Sequence, residues 1–520
     1  MKMEKKRISL WLFGWIVACS LLVACAERNT PSDPSQGSDT TPTDTTITTT
    51  DTICITWSGA SASIDGSHSS VQVSEENGYV TVNSTVKDIT YVLSGTGTGQ
   101  LSVYSTNRLQ LQLNGLSLSC PDGPAINNQC KKSCFVVLNG TNSLSDATTY
   151  AASDEDRKAA FFSEGQIIFS GGGSLSVTGK YKHAIASDDY IQFTESTGSL
   201  SLTAESDGLH ANDGIYVDGG TIVINAGSEG IQCDTAAITI SGGAITVAQA
   251  GDKGILAYGD ITVNGGTIRV SSEYKCIKTK SNLIVNGGDI QVVCNGTSSG
   301  GGPGGGPGGR PGGGWDDDDS SSSPEGIEAK GAITINGGTI YSQSADDAIN
   351  SGGDLTINGG YVCAYSTGND GIDANGDCYI KGGVVYAIGA SSPEVAIDAN
   401  TEERKQLYVQ GGTLVAIGGL ESGSSLTQAC YSASSWSKNT WYALTVGDEV
   451  FAFKTPSSGG STLVVSGASS PTLKSGVSAG GTALFNGMGY YPATASGGTN
   501  VTLSNYTGGG GGGGGRPGGR

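Results

Sequence analysis

Short runs in which apolar and polar residues alternate recur along this chain, each closed by a Gly-Gly pair and restarted about 22 residues later. Pairs stand at Gly219-Gly220, Gly242-Gly243, Gly265-Gly266, Gly287-Gly288, Gly337-Gly338, Gly359-Gly360 and Gly382-Gly383. The spacings are 23, 23, 22, 50, 22 and 23 residues. The phrase around each pair is nearly constant, as in Ile261-Thr262-Val263-Asn264-Gly265-Gly266-Thr267-Ile268 and Ile333-Thr334-Ile335-Asn336-Gly337-Gly338-Thr339-Ile340. Period-two alternation predicts strands with one buried face. A repeat of this length is too short for a propeller blade and suits one coil of a parallel β-helix, whose equivalent positions stack into columns. The pattern therefore predicts an all-β fold of about ten coils, with a period of 22–23 residues.

The remaining segments follow from where the repeat fails. Residues 55–165 alternate less regularly and are expected to hold an N-terminal β region and early coils. Residues 166–419 carry the β-helix proper. Residues 420–506 lose the repeat but keep short β runs, which predicts a C-terminal β cap or small β domain over an otherwise open coil edge. The 50-residue step contains the Gly-, Pro- and Asp-rich stretch 295–324, expected as a disordered loop thrown out of one coil. Its prolines recur every four residues, which excludes a collagen triple helix. Residues 507–520 form a Gly-rich tail.

A basic start (Lys2, Lys5, Lys6, Arg7) precedes an apolar run that ends Leu22-Val23-Ala24-Cys25, so residues 1–24 read as a signal peptide and not a membrane-spanning helix. The ending resembles a bacterial lipobox, which would lipidate Cys25 and make the protein a lipoprotein of the outer membrane or cell surface. An ordinary signal with a chance cysteine is the alternative. Residues 25–54 are expected to form a Thr/Asp/Pro tether. Within it Asp39-Thr40-Thr41, Asp44-Thr45-Thr46 and Asp51-Thr52-Ile53 resemble a weak O-glycosylation signal.

The chain carries a net charge of −20, and −23 without residues 1–24, which contribute four basic groups and one acidic group. Such a charge argues against nucleic acid and anionic lipid as direct partners. Of twelve cysteines none follows a zinc-ligand spacing; Cys120 with Cys130 or Cys134 is the simplest disulfide to expect. The three histidines, His68, His183 and His210, form no His-rich motif, and His210 reads as a surface ladder residue.

A second repeat, acid-Gly-Ile-x-Ala, precedes most Gly-Gly pairs by about twelve residues: Asp207-Gly208-Leu209-His210-Ala211, Glu229-Gly230-Ile231-Gln232-Cys233, Glu325-Gly326-Ile327-Glu328-Ala329, Asp370-Gly371-Ile372-Asp373-Ala374. The Ile and the small residue alternate inward, which makes Cys233 a core residue. The residue between them is expected to face solvent, giving the column Ala186, His210, Gln232, Leu256, Lys278, Glu328, Asn350, Asp373, Asp398. Coils stack about 4.7–4.9 Å apart and calcium takes oxygens at about 2.3–2.6 Å, so one ion midway between coils can bind both. Asp346, Asp347, Asn350, Asn369, Asp370, Asp373, Glu394 and Asp398 are the candidate ligands for Ca2+ on that ground. Alternatively, Asp and Asn merely suit the bend before Gly and cap its amides. Lys253, Lys275, Lys278, Lys280 and Lys330, with Glu328, form a neighbouring charged group. They read either as contacts to acidic glycans or as a ladder of surface ion pairs.

These residues resemble a family of secreted carbohydrate-binding β-helix proteins, similar in fold to pectate lyases. The likeness runs through Leu113-Asn114-Gly115, Gly123-Pro124-Ala125-Ile126, Asn142-Ser143-Leu144-Ser145-Asp146 and Ala184-Ile185-Ala186-Ser187-Asp188-Asp189 into the coils. The resemblance implies a right-handed helix, bound calcium and binding of plant cell-wall glycans such as cellulose or polygalacturonate. Asp346-Asp347-x-x-Asn350 and Asn369-Asp370-x-x-Asp373 also look like the calcium turns of one pectate lyase family, which abstracts an α-proton with a nearby lysine. Here Asn350 replaces an acid and the next coil offers Asp398 in place of a lysine, leaving Lys278, Lys330 and Lys405 as the candidate bases. Three functions follow: a non-catalytic, calcium-stabilised glycan-binding lipoprotein, expected to be monomeric; a calcium-dependent polysaccharide lyase; or a structural adhesin.

Overall fold

The computed structural model of the 520-residue chain describes residues 45–49, 51–297 and 323–508. The signal peptide, Cys25, residues 26–44 and Thr50 of the tether, the interior of the 295–324 insertion and most of the tail lie outside these residues.

Each coil contributes three short strands. The coil of residues 253–272 shows the pattern: Lys253–Ala257, then Ile261–Val263, the Gly265-Gly266 turn, then Thr267–Ser272. The first strands of successive coils form one side, a 13-stranded sheet, and the other strands join a 30-stranded sheet. Pairing is parallel from coil to coil, giving a β-solenoid of about 12 turns with no α-helix among the described residues. Register is constant, so one inward column reads Ile215, Ile238, Ile261, Leu283, Ile333, Leu355, Cys378, Leu407. All eight are buried. Leu283 pairs directly with Ile333 across the 50-residue step, so the insertion leaves the coil without breaking the stack.

The Gly-Gly turn has a backbone cause. The second glycine sits at φ +84, +74, +83, +93, +85, +84 and +79° in the seven turns, a region disfavoured for residues with a Cβ. At Gly266 an added Cβ would meet the Gly242 carbonyl oxygen of the preceding coil at 2.7 Å. Gly266→Ala is therefore expected to destabilise the stack by roughly 2 kcal/mol, from left-handed backbone strain plus this clash; urea unfolding of the variant measures it. The residue before the turn builds an amide ladder. Asn286 donates to Asn264, Asn336 to Asn286 and Asn358 to Asn336, each at 2.8 Å.

Both ends of the stack are closed. Parallel pairing begins with Asp51–Gly59 against Ile89–Thr98, and Ser61–Asp65 folds back antiparallel on that first strand. The chain is thus already a strand at Asp51-Thr52-Ile53, residues that the sequence places in the tether. At the other end Leu463–Ser466 runs antiparallel to Thr413–Ile417 and covers the last coil's edge. Trp441–Val446, Glu449–Lys454, Gly489–Val501 and Thr472–Leu484 form a small closed barrel. A second apolar cluster, including Tyr386, Val415, Tyr442, Phe451 and Phe453, joins this barrel to the outer face of the late coils. Tyr386 anchors it by donating its hydroxyl to the Lys454 carbonyl at 2.9 Å. The ten described cysteines all carry free thiols, so the expected pairing of Cys120 with Cys130 or Cys134 is not made. Cys233 is a buried core residue, as its inward position requires.

Candidate functional site

The 13-stranded side of the solenoid collects the ionisable residues. Its coil-to-coil register is the predicted one: His210 pairs with Gln232, Leu256 with Lys278, Lys278 with Glu328, and Asn350 with Asp373. Three residues upstream of each lies a second column, reading His183, Asp207, Glu229, Lys253, Lys275, Glu325, Asp347, Asp370. Sequence reasoning took Asp347 and Asp370 as calcium ligands or bend-formers and Lys253 and Lys275 as glycan contacts or ion-pair partners, and did not see that these positions form a continuous charged ladder. The signal was present: the acid of acid-Gly-Ile-x-Ala is replaced by lysine at 253 and 275.

The expectation that the outward column faces solvent is corrected. Ala186, His210, Leu256, Lys278 and Glu328 are buried, and Gln232, Asn350, Asp373 and Asp398 are half-buried. The long side chains lie along the sheet and cover one another, so that each column shields its neighbour. In the middle of the ladder this produces a closed ion-pair network. Lys275 Nζ reaches Glu325 at 2.8 Å and Glu328 at 3.2 Å, Lys278 lies 3.5 Å from Glu328, and Lys330 binds Glu328 at 2.6 Å. Lys253 pairs with Glu229 at 3.3 Å and Asp252 at 2.7 Å. Lys275 and Lys278 are 1% and 0% exposed at their side chains. Of the lysines proposed to touch glycan, Lys253, Lys275 and Lys278 are thus held inside the wall, whereas Lys280 is half-buried and Lys330 is exposed. Lys280 also lies over the Tyr258 ring, 5.4 Å from its centroid. Lys405, the third candidate base, is half-buried beside the short 3-10 turn Thr401–Glu403.

Toward the C-terminal coils the ladder becomes wholly acidic. The structure gathers Asp346, Asp347, Asn350, Asn369, Asp370, Asp373, Glu394 and Asp398 on three successive coils, and Glu421 joins Asp398 from the next. Sequence reasoning missed Glu421 because it stands outside the regular repeat. Some acid oxygens cap backbone: Asp347 Oδ1 accepts from the Asp370 amide at 3.1 Å, and Asp370 Oδ1 from the Val395 amide at 2.6 Å. The capping role is therefore real, but it uses one oxygen of each carboxylate. Asn369 donates to Asp346 at 2.7 Å, and Asn350 donates to Asp347 at 3.3 Å. Among the described residues no lysine or arginine pairs with this cluster.

The consequence is a set of carboxyls that resist ionisation. Burial, then the charges of Asp373, Asp346, Asp370 and Glu325, push Asp347 up to about 9. Asp370 rises to about 7 through burial and the charges of Glu394, Asp373 and Glu421, against the Val395 amide. Asp373 rises to about 6, again through burial first and then Asp346 and Glu394. Burial, then its hydrogen bond with Glu421 and the charges of Asp370, Glu421 and Asp373, push Asp398 up to about 9. Burial first, and then like charges one coil apart without a counter-ion among the described residues, account for all four.

The opposite end of the ladder holds a group that the sequence did not bring together. His183, Asp207 and His210 converge in the buried wall, so His210 is no surface residue. His210 Nδ1 lies 2.9 Å from Asp207 and its Nε2 3.1 Å from Asp234. Burial alone would depress His210, but these two carboxylates outweigh it and raise the imidazole to about 9. His183 is held below its ordinary value by burial.

A family model described as "Carbohydrate-binding domain-containing protein" matches residues 76–371, more than half of the chain and most of the coils. Among solved structures the chain is similar, at 24% identity, to the polysaccharide lyase-like protein from C. thermocellum in a gadolinium derivative. That match covers 47% of this chain and 95% of the other, with a TM-score of 0.34. No curated protein matches the chain.

Proposed function

This chain belongs to the carbohydrate-binding domain-containing protein family, and on that premise we propose that it is a non-catalytic polysaccharide-binding protein of the cell envelope whose acidic coils hold calcium. One observation carries the reading: carboxylates from four successive coils stand together without a basic partner among the described residues. Their donors are hard oxygens, the set that calcium prefers, and Asp347, Asp373, Asp398 and Glu394 are the proposed ligands, with the amides of Asn350 and Asn369 beside them. A divalent ion there relieves the repulsion that keeps these groups protonated. Being half-buried, Asp346, Asp373 and Glu394 leave such an ion accessible to a uronate carboxylate, so the proposed ligand class is an acidic plant cell-wall glycan of the polygalacturonate type.

The ion pairs of Lys278 and Lys330 support binding over catalysis. A general base must reach the substrate's α-proton, and Lys278 is enclosed by its ion pair with Glu328. Lys330 also engages Glu328, at 2.6 Å. Anchoring through lipid at Cys25, outside the described residues, completes the proposal and rests on the Leu22-Val23-Ala24-Cys25 sequence alone.

Affinity electrophoresis of the mature chain through gels containing polygalacturonate or cellulosic glycans tests the function. Calcium-dependent retardation with the embedded polymer intact is the expected result. Cleared polymer would establish a lyase, and unchanged mobility in every gel would leave a structural surface protein.

A further inference from the structure

Three coils before the ion-pair network, the charged wall changes character. Position 183 of the upstream column is histidine, the next coil puts Asp207 directly above it, and His210 stands three residues on from Asp207. The two imidazole rings stack with centroids 4.3 Å apart and planes inclined by 25°. Both turn Nδ1 toward one atom: Asp207 Oδ2 lies 3.0 Å from His183 Nδ1 and 2.9 Å from His210 Nδ1. All three residues are buried, at 7%, 2% and 8% exposure.

Two features separate this group from an ordinary hydrogen-bonded core cluster. The first is that His183 Nδ1, although 3.0 Å from the carboxylate, makes no aligned hydrogen bond and is a buried nitrogen without a hydrogen-bond partner. A nine-tenths-buried imidazole nitrogen aimed at a carboxylate without bonding to it is costly unless something else fills the gap. The second is that the outer contacts are already those of a metal centre. His210 Nε2 faces Asp234 Oδ2 at 3.1 Å, and Gln232 in turn donates to Asp234 at 2.7 Å. An entering ion displaces the Nδ1 proton of His210 to solvent, and the Asp234 carboxylate on Nε2 then holds the tautomer whose lone pair is on Nδ1, the orientation found behind metal-bound histidines. Asp207 Oδ1 is occupied by the Ser206 hydroxyl at 2.9 Å and the Glu229 amide at 3.4 Å, which leaves Oδ2 for the cluster.

We propose that His183 Nδ1, His210 Nδ1 and Asp207 Oδ2 form a binding site for a first-row transition-metal ion of the Zn(II) type, chemically distinct from the acidic coils. Each of the three residues offers a donor atom within 4.8 Å of the other two. Ligands about 2.0–2.2 Å from a shared ion stand up to roughly 4.2 Å apart, so the two carboxylate contacts already fit and the imidazole pair closes by ring rotation. Two imidazoles and one carboxylate select a borderline ion over calcium, which takes six to eight oxygens. The ion would clamp two adjacent coils, as the Lys275 network does further along.

Cobalt(II) titration of the mature chain, in excess calcium so that the acidic coils are filled, tests this. The expected result is one Co(II) per chain with a visible d–d spectrum, displaced by Zn(II). His183→Ala should abolish it, Asp234→Asn should weaken it by about 10–100-fold, and Asp347→Asn should leave it unchanged. Should a histidine variant fail to fold, wild-type histidine NMR decides: Zn(II) is expected to shift the ring signals of two histidines and spare the half-buried loop residue His68. No Co(II) binding, binding retained by folded His183→Ala, or ring shifts confined to His68 would each overturn the site.

Discussion

In chelator the mature protein is expected to lose stability as pH rises, and calcium is expected to restore it. The sign follows from the acidic coils. Asp347, Asp370 and Asp373 have folded values of about 9, 7 and 6, all above the ordinary unfolded carboxyl value near 3.9. Between the unfolded and folded values the native state keeps a proton that the unfolded chain releases. Their contribution is therefore intact at pH 4 and lost progressively as pH climbs from about 4 to about 9. The chelated protein should melt lower at pH 8.5 than at pH 5.5. Calcium binds the ionised form, so the pH 8.5 sample gains most, by about 2.7 kcal/mol at a hundred times Kd. Differential scanning calorimetry at the two pH values, with calcium and with chelator, checks both signs. In Asp347→Asn/Asp370→Asn the chelated pH slope should flatten and the calcium shift should shrink. A chelated protein that is equally stable at both pH values and indifferent to calcium would show that the carboxyls are not under mutual repulsion.

The second large effect is expected in the middle of the same wall. Lys275→Met should destabilise the fold by about 3–5 kcal/mol, because it strands buried charge on Glu325 and Glu328. Lys330→Met removes a partner of Glu328 whose side chain is 38% exposed, and should cost about 1 kcal/mol or less. Combining Lys275→Met with Glu325→Gln and Glu328→Gln should recover much of the loss, since the uncompensated charge is gone. Urea unfolding of the three variants measures the order. Equal, small losses for Lys275→Met and Lys330→Met would mean that the network is solvated.

The sequence exposed the architecture because a solenoid repeats its physics. Every Asn-Gly-Gly turn needs the same positive φ, and every coil needs the same inward Ile, so Ile261 and Ile333 announce themselves although an insertion separates their coils. For the same reason the register that sets Lys278 beside Glu328 and Asn350 beside Asp373 could be read directly. What the repeat does not encode is coverage. Alternation says that Lys278 points away from the core, but only packing shows that neighbouring charged side chains close over it. His183 and His210 escaped for a related reason: they occupy different columns and meet only because Asp207 lies between them. The barrel of residues 441–501 was legible as β-structure but not as a barrel. Its seat on Tyr386 and Val415 depends on apolar residues facing outward, which coil periodicity assigns to solvent.

The central claim, that calcium on the acidic coils carries polysaccharide recognition, is tested most directly by titrating polygalacturonate into the mature chain. Wild type is measured in calcium and in chelator, and the Asp347→Asn/Asp373→Asn variant in calcium. Saturable binding by wild type in calcium, weakened at least about tenfold (1.4 kcal/mol) by chelation and by the variant, is the predicted result. Equal affinity in all three samples would contradict it and place recognition elsewhere on the solenoid.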